Sequence, residues 1–92
     1  MDYEKVLREL RQDYVNRSQQ EAEGSPKKHT YNQIVQWIDQ NANTTPPLQR
    51  AFMTQMGLAS LAQVIDPPEM RPLVEEAYEL LEKRANLSPI SH

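Results

Sequence analysis

Residues 45–69 read TPPLQRAFMTQMGLASLAQVIDPPE. A polar residue followed by Pro-Pro opens this stretch, and the same signal, Asp66-Pro67-Pro68, closes it. A threonine at 45 can accept an orphan backbone N–H at a helix start, and proline in a first turn has no N–H to leave unpaired. Between the two signals the chain is apolar on more than one face. Leu48, Phe52, Met56 and Ala59 form one stripe; Met53, Leu61, Val64 and Ile65 form another. A helix apolar all round belongs in a core, so this reading predicts a helix over 46–65 that is the most buried of the chain. Gly57 leaves open a kink or a break into two helices, because an interior glycine costs only about 1 kcal/mol against alanine.

The segment that follows repeats the opening chemistry. Asp66 reads as an acidic cap with Glu69 three residues on, and Met70, Leu73, Val74, Ala77, Leu80 and Leu81 make one amphipathic stripe to about Ala85. Pro72 limits how early that helix becomes regular, giving a helix over 69–85. TPPLQRAFM and DPPEMRPLV, 21 residues apart, share a cap, Pro-Pro and an arginine. Such helix-start chemistry arises independently often enough that no duplication needs to be invoked.

Upstream, Asp2 to Glu23 holds neither Gly nor Pro, and Tyr3, Leu7, Leu10 and Tyr14 recur at helical spacing with Val6 beside them. This predicts a helix near 2–22 whose polar end, from Asn16, is either a solvated extension or frayed chain. Gly24-Ser25-Pro26-Lys27-Lys28-His29 reads as a breaker loop. Thr30 with Gln33 reads as a capping box, opening a helix over 30–42 along Ile34, Val35 and Ile38. Trp37 stands on its flank, as a core-edge anchor or as an exposed hot spot. The expected architecture is all-α: a compact four-helix domain over residues 1–85 with a short flexible tail, 86–92.

Ninety-two residues can build one core and little else. There is no cysteine, which removes disulfides, thiolate metal sites and cysteine nucleophiles together. MDYEKVLREL is charged from its second residue and carries no apolar h-region. No stretch approaches the ~20 apolar residues of a membrane span, so a cytoplasmic setting is expected. The net charge of −3 is unevenly spread. Residues 1–23 hold six acids and four bases, residues 24–64 one and three, and residues 65–92 six and three. An anionic partner would prefer the weakly basic middle, where Lys27, Lys28 and Arg50 are the candidate contacts.

No constellation reads as catalytic, as a metal centre or as a cofactor site. Glu75, Glu76, Glu79 and Glu82 lack the inward histidine that carboxylate metal bundles use; the two histidines are His29 and His92. The run reads as a solvated face, with Arg71 and Lys83 placed to pair with Glu75 and Glu79. The function this leaves is a non-enzymatic protein-interaction or adaptor module, regulatory in character, with no small-molecule substrate and no membrane. The Tyr3/Leu7/Leu10/Tyr14 stripe and Trp37 are its candidate partner contacts, and the stripe's near-heptad spacing suits a second chain. The alternative is a helix-turn-helix-like DNA-binding regulator using residues 27–50, disfavoured because the third helix offers Arg50 as its single base. A third option is a self-assembling structural subunit.

Overall fold

The computed structural model describes residues 1–43 and 46–90. Its elements are α1 (Tyr3–Gln19), α2 (Pro26–Gln40), α3 (Pro47–Val64), a one-turn 3-10 helix (Pro68–Met70) and α4 (Arg71–Ala85). There is no strand among the described residues, and the four helices are those the hydrophobic periodicity marks out. No helix there is long and apolar enough to cross a membrane.

Each start has a local cause. Asp2 caps α1 by accepting the Lys5 N–H at 3.0 Å. Ser25 caps α2 by accepting the Lys28 N–H, with Pro26 in the first turn. The second helix therefore begins four residues before the expected Thr30. Ser25-Pro26 is a start signal of the same kind as Thr45-Pro46 and not part of a breaker loop. Thr30 is buried inside the helix, its hydroxyl donating back to the Pro26 carbonyl at 2.8 Å. The cap expected of Thr45 and the terminal His92 lie outside the described residues. Asp66 forms no cap: the residue before the 3-10 turn is Pro67, with no side-chain cap bond. Pro72 delays α4 to Arg71, as its missing N–H requires.

α1 lies mainly against α2, and α3 mainly against α4, so the chain folds as two helical hairpins laid face to face. The Cα radius of gyration, 12.4 Å, is what about 12 Å for a packed chain of this length leads one to expect. Leu10, Tyr14, Ile34, Leu58, Val74 and Leu81 fill the centre. Asn86 ends α4 in the left-handed conformation, with φ 55°, and the Leu87 N–H returns to the Glu82 carbonyl at 2.9 Å. Residues 87–90, part of the expected flexible tail, fold back on the bundle. Leu87 is buried, and the Ile90 N–H donates to the Glu82 carboxylate at 3.0 Å.

α3 is one continuous helix through Gly57, but it is not the buried centre of the fold. Its inward face carries Ala51, Thr54, Gln55, Leu58, Leu61 and Ala62; its outward face carries Leu48, Phe52 and Met56 of the first stripe and Met53 and Val64 of the second, while Ala59 is half-buried against the core. A core of this size closes over one face of a helix, and two other hairpin helices plus α4 cover no more than that.

Candidate functional site

The expected partner contacts sort into three groups. Leu7, Leu10 and Tyr14 are buried in the chain's own core, so this stripe is spent on folding and presents nothing to a second chain. Tyr3 is half-buried at the rim, where it lines a cleft of 430 Å³ with Met1, Pro46, Pro47 and Leu48. Trp37 is also half-buried and packs against the core, its ring lying on Gly57 of α3.

The candidate anion contacts do not converge. Lys28 donates to the Ser18 carbonyl at 2.9 Å and pairs with Glu23 at 3.3 Å. Arg50 pairs with Glu4 at 3.2 Å, and Lys27 is exposed. Lys28 and Arg50 line two different clefts, each of mixed charge. The acidic run on α4 is not uniformly solvated either. Glu82 is buried and accepts from the Gln55 side-chain amide at 2.7 Å as well as from Ile90. The same amide donates to the Ser88 carbonyl at 2.9 Å, so one glutamine ties α3 to α4 and to the chain after it. Arg71 turns away from Glu75 and donates to the Ala62 carbonyl at 3.0 Å. Among the described residues no group of three His, Asp or Glu side chains is placed to hold a metal ion.

Two tyrosines sit where ionisation is costly. Burial pushes the Tyr14 hydroxyl far above its ordinary range, with the nearby Arg17 guanidinium opposing and Glu76 reinforcing the shift. That hydroxyl has no hydrogen-bond partner among the described residues. Burial also raises Tyr78, helped by Glu75, Glu79 and Glu82. Neither tyrosine lines the clefts beside Arg50, Lys28, Leu48 or Val35.

What stands out is the outward face of α3. Leu48, Phe52, Met53, Met56 and Val64 are 38, 43, 41, 66 and 75% exposed. Gln49, Ser60 and Gln63 complete the face, which holds no charged side chain. The one charged residue of α3, Arg50, is drawn to Glu4. The inward face meanwhile holds Thr54 and Gln55, both buried. Two polar residues are thus enclosed beside Ala51, Leu58, Leu61 and Ala62 while five large apolar side chains stay outside, more apolar surface than a helix shaped only by its own bundle leaves exposed. α1 and α4, by contrast, present Glu, Lys and Arg to solvent and are laced by pairs such as Arg84–Asp13 at 2.7 Å and Arg17–Glu76 at 3.2 Å.

The sequence held the signal for this face. Two apolar stripes on one helix in a 92-residue chain exceed what the chain can cover, and a helix with one charge in 18 residues has no solvated side of its own. Searches against protein-family models, curated proteins and solved structures find no match for this chain. Function therefore has to be argued from this geometry.

Proposed function

We propose that the chain is a non-enzymatic protein–protein interaction module whose docking surface is the outward face of α3. One observation carries this reading: five large apolar side chains stay exposed along one uncharged helical stripe while polar Thr54 and Gln55 are enclosed. Large exposed apolar patches rimmed by polar residues mark interaction surfaces. Phenylalanine and flexible, polarisable methionines are the side chains that adaptable helix-binding surfaces favour. A cytoplasmic setting suits the module, since small extracellular domains usually lean on disulfides and this chain has no cysteine. The DNA-binding alternative draws no support from α3, whose outward residues include neither Lys nor Arg for phosphate contacts.

A photo-crosslinking amino acid placed at Phe52 or Met56, and at Glu79 on the charged face of α4 as control, tests the reading in native cell extract. Protein adducts from the two α3 positions and none from Glu79 are expected. No adduct from either α3 position, with the fold intact by circular dichroism, overturns it.

A further inference from the structure

The outward face of α3 has an internal symmetry that selects its occupant. Gln49, Met56 and Gln63 fall at seven-residue intervals, with Phe52 and Met53 between the first two and Ala59 and Ser60 between the last two. Leu48 and Val64 bound the set at equal distances from Met56. Together these residues cover about 160° of the helix circumference. Met56 stands at the middle of Pro47–Val64, so the pattern reads alike in position from both ends, with large residues in one half matched by small ones in the other.

Resting on the reading of this face as a docking surface, we propose that its occupant is a second copy of this chain. The two α3 helices run antiparallel about a two-fold axis beside Met56. In that arrangement Met56 meets its own copy. Phe52 comes level with the partner's Ser60 and Met53 with the partner's Ala59, so each bulky side chain packs over a small one, as interdigitated helices require. Gln49 meets the partner's Gln63 close to the seam, where each amide can donate to and accept from the other. A polar pair inside an apolar seam fixes register, and here it occurs twice by symmetry.

Charge favours the same occupant. Two copies of a chain carrying −3 repel when acidic surfaces meet, and on this face they touch without opposing any charged side chain of α3. A foreign partner selected by charge complementarity would find nothing here to read. The seam is about 27 Å long at 1.5 Å per residue. A single helix pair falls at the small end of specific interfaces, under about 1,200 Å² in total. The dimer therefore depends on concentration, with dissociation in the micromolar range, and added salt tightens it by screening the net charge.

Sedimentation equilibrium of the full chain across a concentration series up to ~1 mM is the first measurement. The expected mass rises from 10.7 kDa to twice that value. A single-chain mass throughout overturns the proposal. Met56→Glu sets two carboxylates against each other at the axis and is expected to raise the dissociation constant by about 100-fold or more, with the monomer's circular dichroism and melting unchanged. A dimer that ignores it is built on another surface, which also overturns the proposal.

Register is tested separately. The double variant Gln49→Glu/Gln63→Lys places opposite charges together across an antiparallel seam, whereas Gln49→Lys/Gln63→Lys places like charges together. The first is expected to dimerise about 10-fold more tightly than the second. Positions 49 and 63 are about 21 Å apart along one helix, beyond the ~10 Å screening length, so the contrast reports on contacts between chains. Equal affinity of the two variants overturns the antiparallel arrangement. The crosslinker at Phe52 separates this inference from the reading it rests on. An adduct of twice the chain mass supports both. An adduct with a different protein and none with itself overturns the second-copy proposal while leaving the docking surface in place.

Discussion

The Trp37 ring of α2 lies so close over Gly57 of α3 that a Cβ on the glycine would stand 2.6 Å from Cε3 and 2.9 Å from Cζ3. The absent side chain is what brings the two hairpins together at this level. Gly57 lies within α3 and has no need of a left-handed backbone. Replacing it with alanine would raise helix propensity by about 1 kcal/mol, yet the indole ring must move from its seat on the core.

Overpacking of this kind costs about 1–3 kcal/mol, more than the propensity returns. Gly57→Ala is therefore expected to lower unfolding stability by about 1 kcal/mol net. Because Trp37 is the single tryptophan, its emission maximum reports the displacement directly. Unchanged emission together with a stability gain would show that the ring does not define this contact.

Glu82 should behave as a buried acceptor rather than as surface charge. Removing its carboxylate leaves the Gln55 amide and the Ile90 N–H without their shared partner. Glu82→Ala is expected to cost about 2–4 kcal/mol in chemical denaturation. Glu82→Gln keeps an acceptor oxygen and should cost less than half as much. Glu76→Ala, which removes an exposed pair with Arg17, should cost under about 1 kcal/mol.

The difference between the two glutamates shows which parts of this protein are legible in its sequence. Periodicity locates all four helices, because burial of one stripe per helix is what makes them fold. The row of glutamates on α4 reads as solvated, since nothing in the spacing reveals that Gln55 and the backbone of Ile90 arrive over Glu82 from elsewhere in the chain. Ser25-Pro26 carries the same start signal as Thr45-Pro46, and the nearby capping-box pattern at Thr30 hides it. The exposed face of α3 is visible in the sequence as apolar residues, but the face the core takes, with Ala51, Leu58, Leu61 and Ala62, is neither of the two stripes read there. That choice is settled by Trp37, which needs the small residue at Gly57 and so turns Leu58 inward and Met56 outward.

Stability should fall in alkaline solution through the buried tyrosines. In the unfolded chain tyrosine ionises near pH 10, whereas burial holds Tyr14 protonated well above that. The folded state therefore retains protons that the unfolded state releases. The stabilisation is fully present below pH ~10 and is lost above it, by about 1.4 kcal/mol per pH unit for each such tyrosine. Tyr14→Phe removes a buried hydroxyl with no hydrogen-bond partner among the described residues. It should raise stability at neutral pH by about 1 kcal/mol and flatten the alkaline loss, both measurable from denaturation series between pH 7 and pH 11. A variant as alkali-sensitive as the parent would place the loss elsewhere.

The two faces of α3 should answer alanine in opposite ways. Leu58 is fully enclosed among core side chains, so Leu58→Ala is expected to cost about 2–5 kcal/mol by leaving a cavity. Met56 is two residues away on the same helix and 66% exposed; Met56→Ala should change monomer stability by no more than about 0.5 kcal/mol. The measurement must be made at protein concentrations low enough to keep the chain monomeric, because binding to the folded state adds apparent stability. Raising the concentration should then stabilise the parent and leave a Met56→Glu variant where it was. That concentration dependence ties the exposed stripe to association, since a side chain that merely failed to find room in the core would show none.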